Sequence, residues 1–120
     1  MKAYTNIEQS KKLAEILPPE TADMKWYFWK SEIDAPKLPT FGYSKTAAES
    51  YKDTEAVYLP CWSLAALLGV LPEIQGGKPI IALDDNYITY PHISDLHTKA
   101  DNIIDACVDM IIKLNEQNLL

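Results

Sequence analysis

Met24-Lys25-Trp26-Tyr27-Phe28-Trp29-Lys30 sets four aromatic side chains in a row between two lysines, and the reading of this stretch decides the fold. Aromatic residues suit the pleated, half-buried surface of a sheet, so the segment predicts a strand with one buried face. Successive strand side chains point to opposite faces, so whichever pair packs inward, Trp26 with Phe28 or Tyr27 with Trp29, the other pair looks elsewhere. An uncovered pair suggests a stacking platform or a partner surface. The plainer alternative is that the irregular segment 31–58 covers the second face.

Upstream, Thr5-Asn6-Ile7-Glu8 fits a capping box in which the Thr5 hydroxyl and Glu8 carboxylate satisfy orphan amides at a helix start. Ile7, Leu13, Ala14, Ile16 and Leu17 follow at helical spacing, and Pro18-Pro19 stops the helix. Downstream, the pattern loses its period from Ser31 to Tyr58, where Pro36 and Pro39 break regular structure. Ser44 to Lys52 nevertheless fits a short helix capped by Ser44. So long a structureless stretch is uncommon in a compact domain; it is either a functional excursion or a loop pinned by Phe41, Tyr43, Tyr51 and Tyr58.

Leu59 to Pro72 (LPCWSLAALLGVLP) reads as a short helix apolar on nearly all sides, which belongs in the interior. After the turn Gln75-Gly76-Gly77-Lys78, the segments Pro79 to Leu83 and Tyr87 to Tyr90 flank Asp84-Asp85-Asn86 and predict a β-hairpin. From about Lys99 to Gln117 a final helix sets Ile103, Cys107, Met110 and Leu114 on one face with Ile104, Val108 and Ile111 beside them. That breadth suits a helix covering a sheet. The expectation is one α+β domain over residues 1–120: a small antiparallel sheet of about three strands packed by N-terminal, central and C-terminal helices, with an irregular segment around 31–58.

The composition, 48% hydrophobic and 23% charged over 120 residues, excludes a wholly disordered, collagenous or fibrous chain. All eleven basic residues are lysines against seventeen acids, net −6. Without the planar guanidinium fork or a concentrated basic patch, nucleic acid is not an expected partner. The longest apolar run, Leu64 to Leu71, falls far short of the roughly 20 residues of a membrane helix, and the polar stretch Met1 to Glu8 leads us to expect no export signal. With Cys61 and Cys107 in no zinc or disulfide spacing, the expectation is a cytoplasmic protein with reduced thiols, no cofactor, no membrane association and a protein partner.

Three groups of residues carry chemistry worth weighing. In Pro60-Cys61-Trp62-Ser63, a cysteine at a helix N-terminus would have its thiolate stabilised by the helix dipole, with His92 or His97 as base and Asp95 or Asp101 to orient it. This is the arrangement of a cysteine-dependent hydrolase, against which stands the commoner buried thiol of an apolar helix. His92, Asp95 and His97, with Asp84 and Asp85, are metal-ligand types in no defined spacing, and turn aspartates with loop histidines explain them as well. Asp101, Asp105 and Asp109 recur every four residues on the last helix, with Lys113 continuing the row. They form either a solvated face or an acidic docking strip.

Tyr4 to Pro18 (YTNIEQSKKLAEILP), Leu59 to Leu68 (LPCWSLAALL) and Asp105 to Leu114 (DACVDMIIKL) together resemble a group of small uncharacterised proteins of gut anaerobic bacteria and their prophage-like mobile elements. The resemblance implies a bacterial cytoplasmic accessory protein and transfers no site residue. The reading as a whole is an interaction or regulatory module of a bacterial or phage-like element, the alternative being a cysteine-dependent hydrolase centred on Cys61 with His92 or His97.

Overall fold

A computed structural model describes residues 2–120. The elements run α1 (Ile7–Ala14), β1 (Met24–Trp29), β2 (Thr40–Phe41), α2 (Lys45–Ser50), β3 (Ala56–Cys61), α3 (Leu64–Val70), β4 (Ile80–Ala82), β5 (Tyr87–Thr89), β6 (His97–Lys99) and α4 (Ile103–Glu116). The fold is α+β, with two three-stranded antiparallel sheets in the orders β2-β1-β3 and β4-β5-β6.

The aromatic stretch is a strand, with Met24, Trp26 and Phe28 buried and Tyr27 and Trp29 exposed. It pairs along its whole length with β3, from Met24 opposite Cys61 to Trp29 opposite Ala56. Leu59–Cys61 therefore belong to a strand and not to the start of a helix, and Ala56–Tyr58 are not irregular. Short apolar runs suit a buried strand as well as a buried helix, and Pro60 is compatible with the strand for a specific reason. The Lys30 N–H donates to the Glu55 carbonyl at 2.7 Å, which sets the alternation so that Lys25 and Pro60 form a pair without ladder hydrogen bonds. The missing N–H of Pro60 points away from β1 and costs no bond.

α3 starts only at Leu64, after Ser63, whose hydroxyl accepts from the Ala66 amide. It is less interior than its composition suggests: Leu67 is buried, but Ala65 and Gly69 are exposed, because such small residues offer little apolar area to bury. α1 is capped one residue later than expected, with the Asn6 side chain accepting from the Gln9 amide and the Gln9 side chain from the Asn6 amide. Ser44 caps α2 as expected. The hairpin forms between β4 and β5, with Asn86 in the left-handed conformation (φ 53°) that its short polar side chain tolerates. β6 was hidden by being short and polar, and it delays α4 to Ile103, capped by Asn102.

The larger core cluster joins α4 (Ile103, Ile104, Cys107, Met110, Ile111, Leu114) to Leu13, Trp62, Leu67, Ile88 and Tyr90, with Leu64 and Leu68 partly buried against it. A smaller one holds Met24, Trp26, Phe28 and Cys61 on the inner face of the first sheet, beside Tyr4, Ile7, Val57 and Leu59. Among the described residues no helix is long and apolar enough to cross a membrane.

Candidate binding surface

Strand alternation and pairing register together build the outer face of the first sheet. Lys25, Tyr27 and Trp29 project from β1, and the register sets Tyr58 opposite Tyr27 and the small Ala56 opposite Trp29. α2 leans over this face. The Ser44 amide donates to the Tyr58 hydroxyl at 3.0 Å, tying the helix start to β3. Tyr51, at the helix end, stacks on Tyr58 (centroids 5.6 Å apart, 20° between planes) and lies 4.9 Å from Tyr27. Tyr43 packs 5.4 Å from Tyr58, and Lys25 Nζ sits 5.8 Å from the Tyr58 ring centre. Of the four residues expected to pin the irregular segment, the three tyrosines do so, while Phe41 is 79% exposed and pins nothing.

α2 is only six residues long and buries none of them, so the cover is incomplete. Tyr27 remains 42% and Trp29 50% exposed. Between α2 and the sheet lies an open groove of about 440 Å³, its border carrying Lys30, Lys45 and Lys52 with Glu49 and Asp53 beside Tyr43 and Tyr58. A second cleft of about 340 Å³ lies at the β1 edge between Tyr27, Phe28 and Trp29 and the loop carrying Glu32, Pro36 and Lys37. Lys37 Nζ donates to the Ile33 and Ala35 carbonyls and lies 4.6 Å from the Phe28 ring centre, which props the loop beside the strand. The hydroxyl contact with Tyr51 is the largest of the effects that raise the Tyr27 pKa, and burial chiefly raises that of Tyr43.

Residues 24–52, which build most of this face, hold five lysines against three acids, whereas the rest of the chain holds six lysines against fourteen acids. Asp53 and Glu55 follow at once, so the lysines of this face stand among acids, Glu49 and Asp53 bordering the same groove as Lys30, Lys45 and Lys52.

The other candidates fall elsewhere. Cys61 ends a strand and heads no helix; it is fully buried, and burial raises its thiol pKa against the weaker opposing effect of its Thr5 and Ser10 hydrogen bonds. Those partners belong to a polar knot absent from the sequence reading. The Thr5 hydroxyl accepts from the Trp62 amide (3.1 Å), contacts the Ser10 hydroxyl (2.8 Å) and donates to Cys61 Sγ (3.6 Å), while the Trp26 indole donates to the Ser10 oxygen (3.2 Å). A threonine just before a cap, five residues from a serine, was the available signal.

Neither histidine is a partner of Cys61. His92 lies against the Ile74–Gly77 turn, its Nε2 on the Ile74 carbonyl, and a Cβ on Gly77 would collide with its ring. His97 is exposed on β6, 5.9 Å from the Tyr87 ring centre. Asp84 and Asp85 form an exposed turn and Asp95 a left-handed loop residue. Among the described residues, no three His, Cys, Asp or Glu side chains come together as a metal site would require. Cys107, on the buried face of α4, has its pKa pushed up to about 12 by burial.

The aspartate row does not exist as a strip, because Asp101 precedes the Asn102 cap and lies off the helix. Asp105 is engaged by Lys2 Nζ (2.6 Å), Gln9 (2.7 Å) and Asn102 (2.8 Å), and Asp109 alone stays exposed on the helix. Trp26 is 5% exposed and no part of any surface, leaving Trp29 as the exposed tryptophan of the pair. No family model, curated protein or solved structure matches the chain.

Proposed function

We propose that the protein is an interaction module, an accessory protein of a bacterial or phage-like element acting in the cytoplasm, whose working surface is the outer face of the first sheet. One observation carries this reading: Tyr27 and Trp29 stand half exposed on a strand whose other three alternating aromatic and apolar side chains are buried. Large aromatics left in water contribute little to folding, but supply much contact area at low entropic cost to a partner. The tyrosines behind them are held by stacking and by the Ser44 to Tyr58 hydrogen bond, so the surface is organised in advance of binding.

Selection from a random peptide display library, counter-selected with a Tyr27→Ser, Trp29→Ser double variant, tests the proposal. Peptides that survive should shift the emission of Trp29 while Trp26 and Trp62, both buried, stay unmoved. Peptides that bind wild type and the folded double variant equally would remove the outer face as the working surface.

A further inference from the structure

The first sheet has two outer edges, and they are finished differently. On β3 the outward-facing positions are Ala56, Tyr58 and Pro60. The Ala56 amide donates to the Thr54 hydroxyl (3.2 Å), Pro60 has no N–H, and beyond it Thr5 donates to the Trp62 carbonyl (3.0 Å) while Tyr4 bridges to Ser63. That edge is blunted in the manner of protected sheet edges.

On β1 the partner strand β2 is two residues long and pairs only with Met24 and Lys25. The Gly42 amide donates to the Asp23 carbonyl (2.8 Å), so the odd-numbered residues of β1 turn their peptide groups toward this edge. Tyr27 and Trp29 follow in that phase with no strand opposite. Continuing β2 along its register would set Leu38 opposite Tyr27 and Pro36 opposite Trp29. Pro36 has no N–H to give, and Leu38 is 77% exposed, turned out of the ladder. The loop instead stands off, and the 340 Å³ cleft lies along these unpaired positions.

We infer that the open edge of β1 takes an extended acidic peptide segment as an added strand at Tyr27 and Trp29, in line with β2. This rests on the outer face being the working surface and names its occupant and mode. Main-chain groups at strand spacing select an extended backbone, and alternate side chains of that strand would lie beside Tyr27 and Trp29. Charge selects its class, since Lys25 and Lys30 flank the open positions and the edge itself, residues 24–41, holds three lysines against two acids. The same charge disfavours a second copy, which would bring two positive edges together over a ladder two residues long.

The test uses three synthetic peptides alternating valine and threonine: one ended by glutamates, one by lysines, and the glutamate peptide N-methylated at alternate amides. Binding is followed by NMR titration and amide exchange of the full chain. Expected are protection of the Tyr27 and Trp29 amides by the glutamate peptide of about tenfold or more, binding of the lysine peptide about tenfold weaker, and loss of binding on N-methylation. Equal binding of the N-methylated peptide, or binding that leaves both amides exchanging as before, would overturn strand addition. If such binding still disappears in Trp29→Ser, the aromatic face stands; if it persists there too, both readings fall. Equal affinity for both charges overturns the acidic class. No binding by any peptide, or edge protection that grows with protein concentration alone, overturns the inference in favour of a closed edge or of self-pairing.

Discussion

The two sheets have the same number of strands and opposite treatment by the helices. β5 and β6 lie under α4, a fourteen-residue helix that buries eight side chains, and Ile88 and Tyr90 beside it are wholly buried. β1 and β3 are backed on one face by the short α1 and the four buried residues of the smaller cluster, while a six-residue helix only leans on the other. The contrast separates two uses of apolar surface. In the second sheet it holds the chain together, each large side chain removed from water contributing roughly 1.5–3 kcal/mol. In the first sheet Tyr27 and Trp29 keep half their surface in water and contribute far less, so their size is better explained by what they can touch.

The largest effect expected from this division is on the α4 side. Ile104 is fully buried within the larger cluster, so Ile104→Ala removes its transfer free energy and leaves a cavity, at a cost of about 2–5 kcal/mol by urea denaturation. Trp29→Ser in parallel should stay within about 0.5 kcal/mol of wild type. Similar losses for the two would break the comparison, because the outer face would then be part of the core.

A smaller effect is expected where the two regions meet. Thr5 links α1, β3 and the Trp62 backbone through one hydroxyl, which has one proton and two lone pairs and uses all of them. Thr5→Val keeps the shape and strands the Trp62 amide and the Ser10 hydroxyl in a buried place, so a loss of about 1–3 kcal/mol is expected. A neutral result would show that the smaller cluster holds to α1 by packing alone.

How far the sequence disclosed this molecule follows the same division. The α4 face, the hairpin around Asn86, the Ser44 cap and the half-buried aromatic strand were legible, because each rests on local periodicity or turn chemistry. β3 was not, because LPC continues into an apolar run that hides the change from period 2 to period 3.6 at Ser63. β6 was not, because three polar residues acquire strand character only from their pairing with β5. The open β1 edge was still less accessible, since it depends on the register of Asp23 against Gly42 and on how far β2 extends. The aspartate row failed for a plain reason: a four-residue spacing has helical meaning only inside the helix, and Asn102 begins it after Asp101.

That failure leads to the smallest predicted effects, which distinguish two aspartates one turn apart on α4. Burial raises the Asp105 pKa, but the hydrogen bonds from Lys2, Gln9 and Asn102 and the Lys2 charge outweigh it, so the net direction is down. A lowered folded pKa contributes stability that is present above the unfolded carboxylate value and is lost as pH falls through the folded one. Asp109 is shifted the other way, by burial first and then by the charge of Asp105. Its ionisation therefore works against the folded state, with stability greatest below the unfolded pKa and declining as pH rises through the raised one. Both groups are partly solvated and screened, so the magnitudes belong to surface ion pairs. Asp105→Asn should cost about 0.2–1 kcal/mol at neutral pH and flatten the acid side of the stability profile. Asp109→Asn should be neutral or stabilising by a few tenths of a kcal/mol. Stability measured by denaturant at pH 3, 5 and 7 for both variants checks the signs. A loss at Asp109 as large as that at Asp105 would mean that the Lys2 contact does not hold the N-terminal segment to α4 and that the two carboxylates act as one solvated face after all.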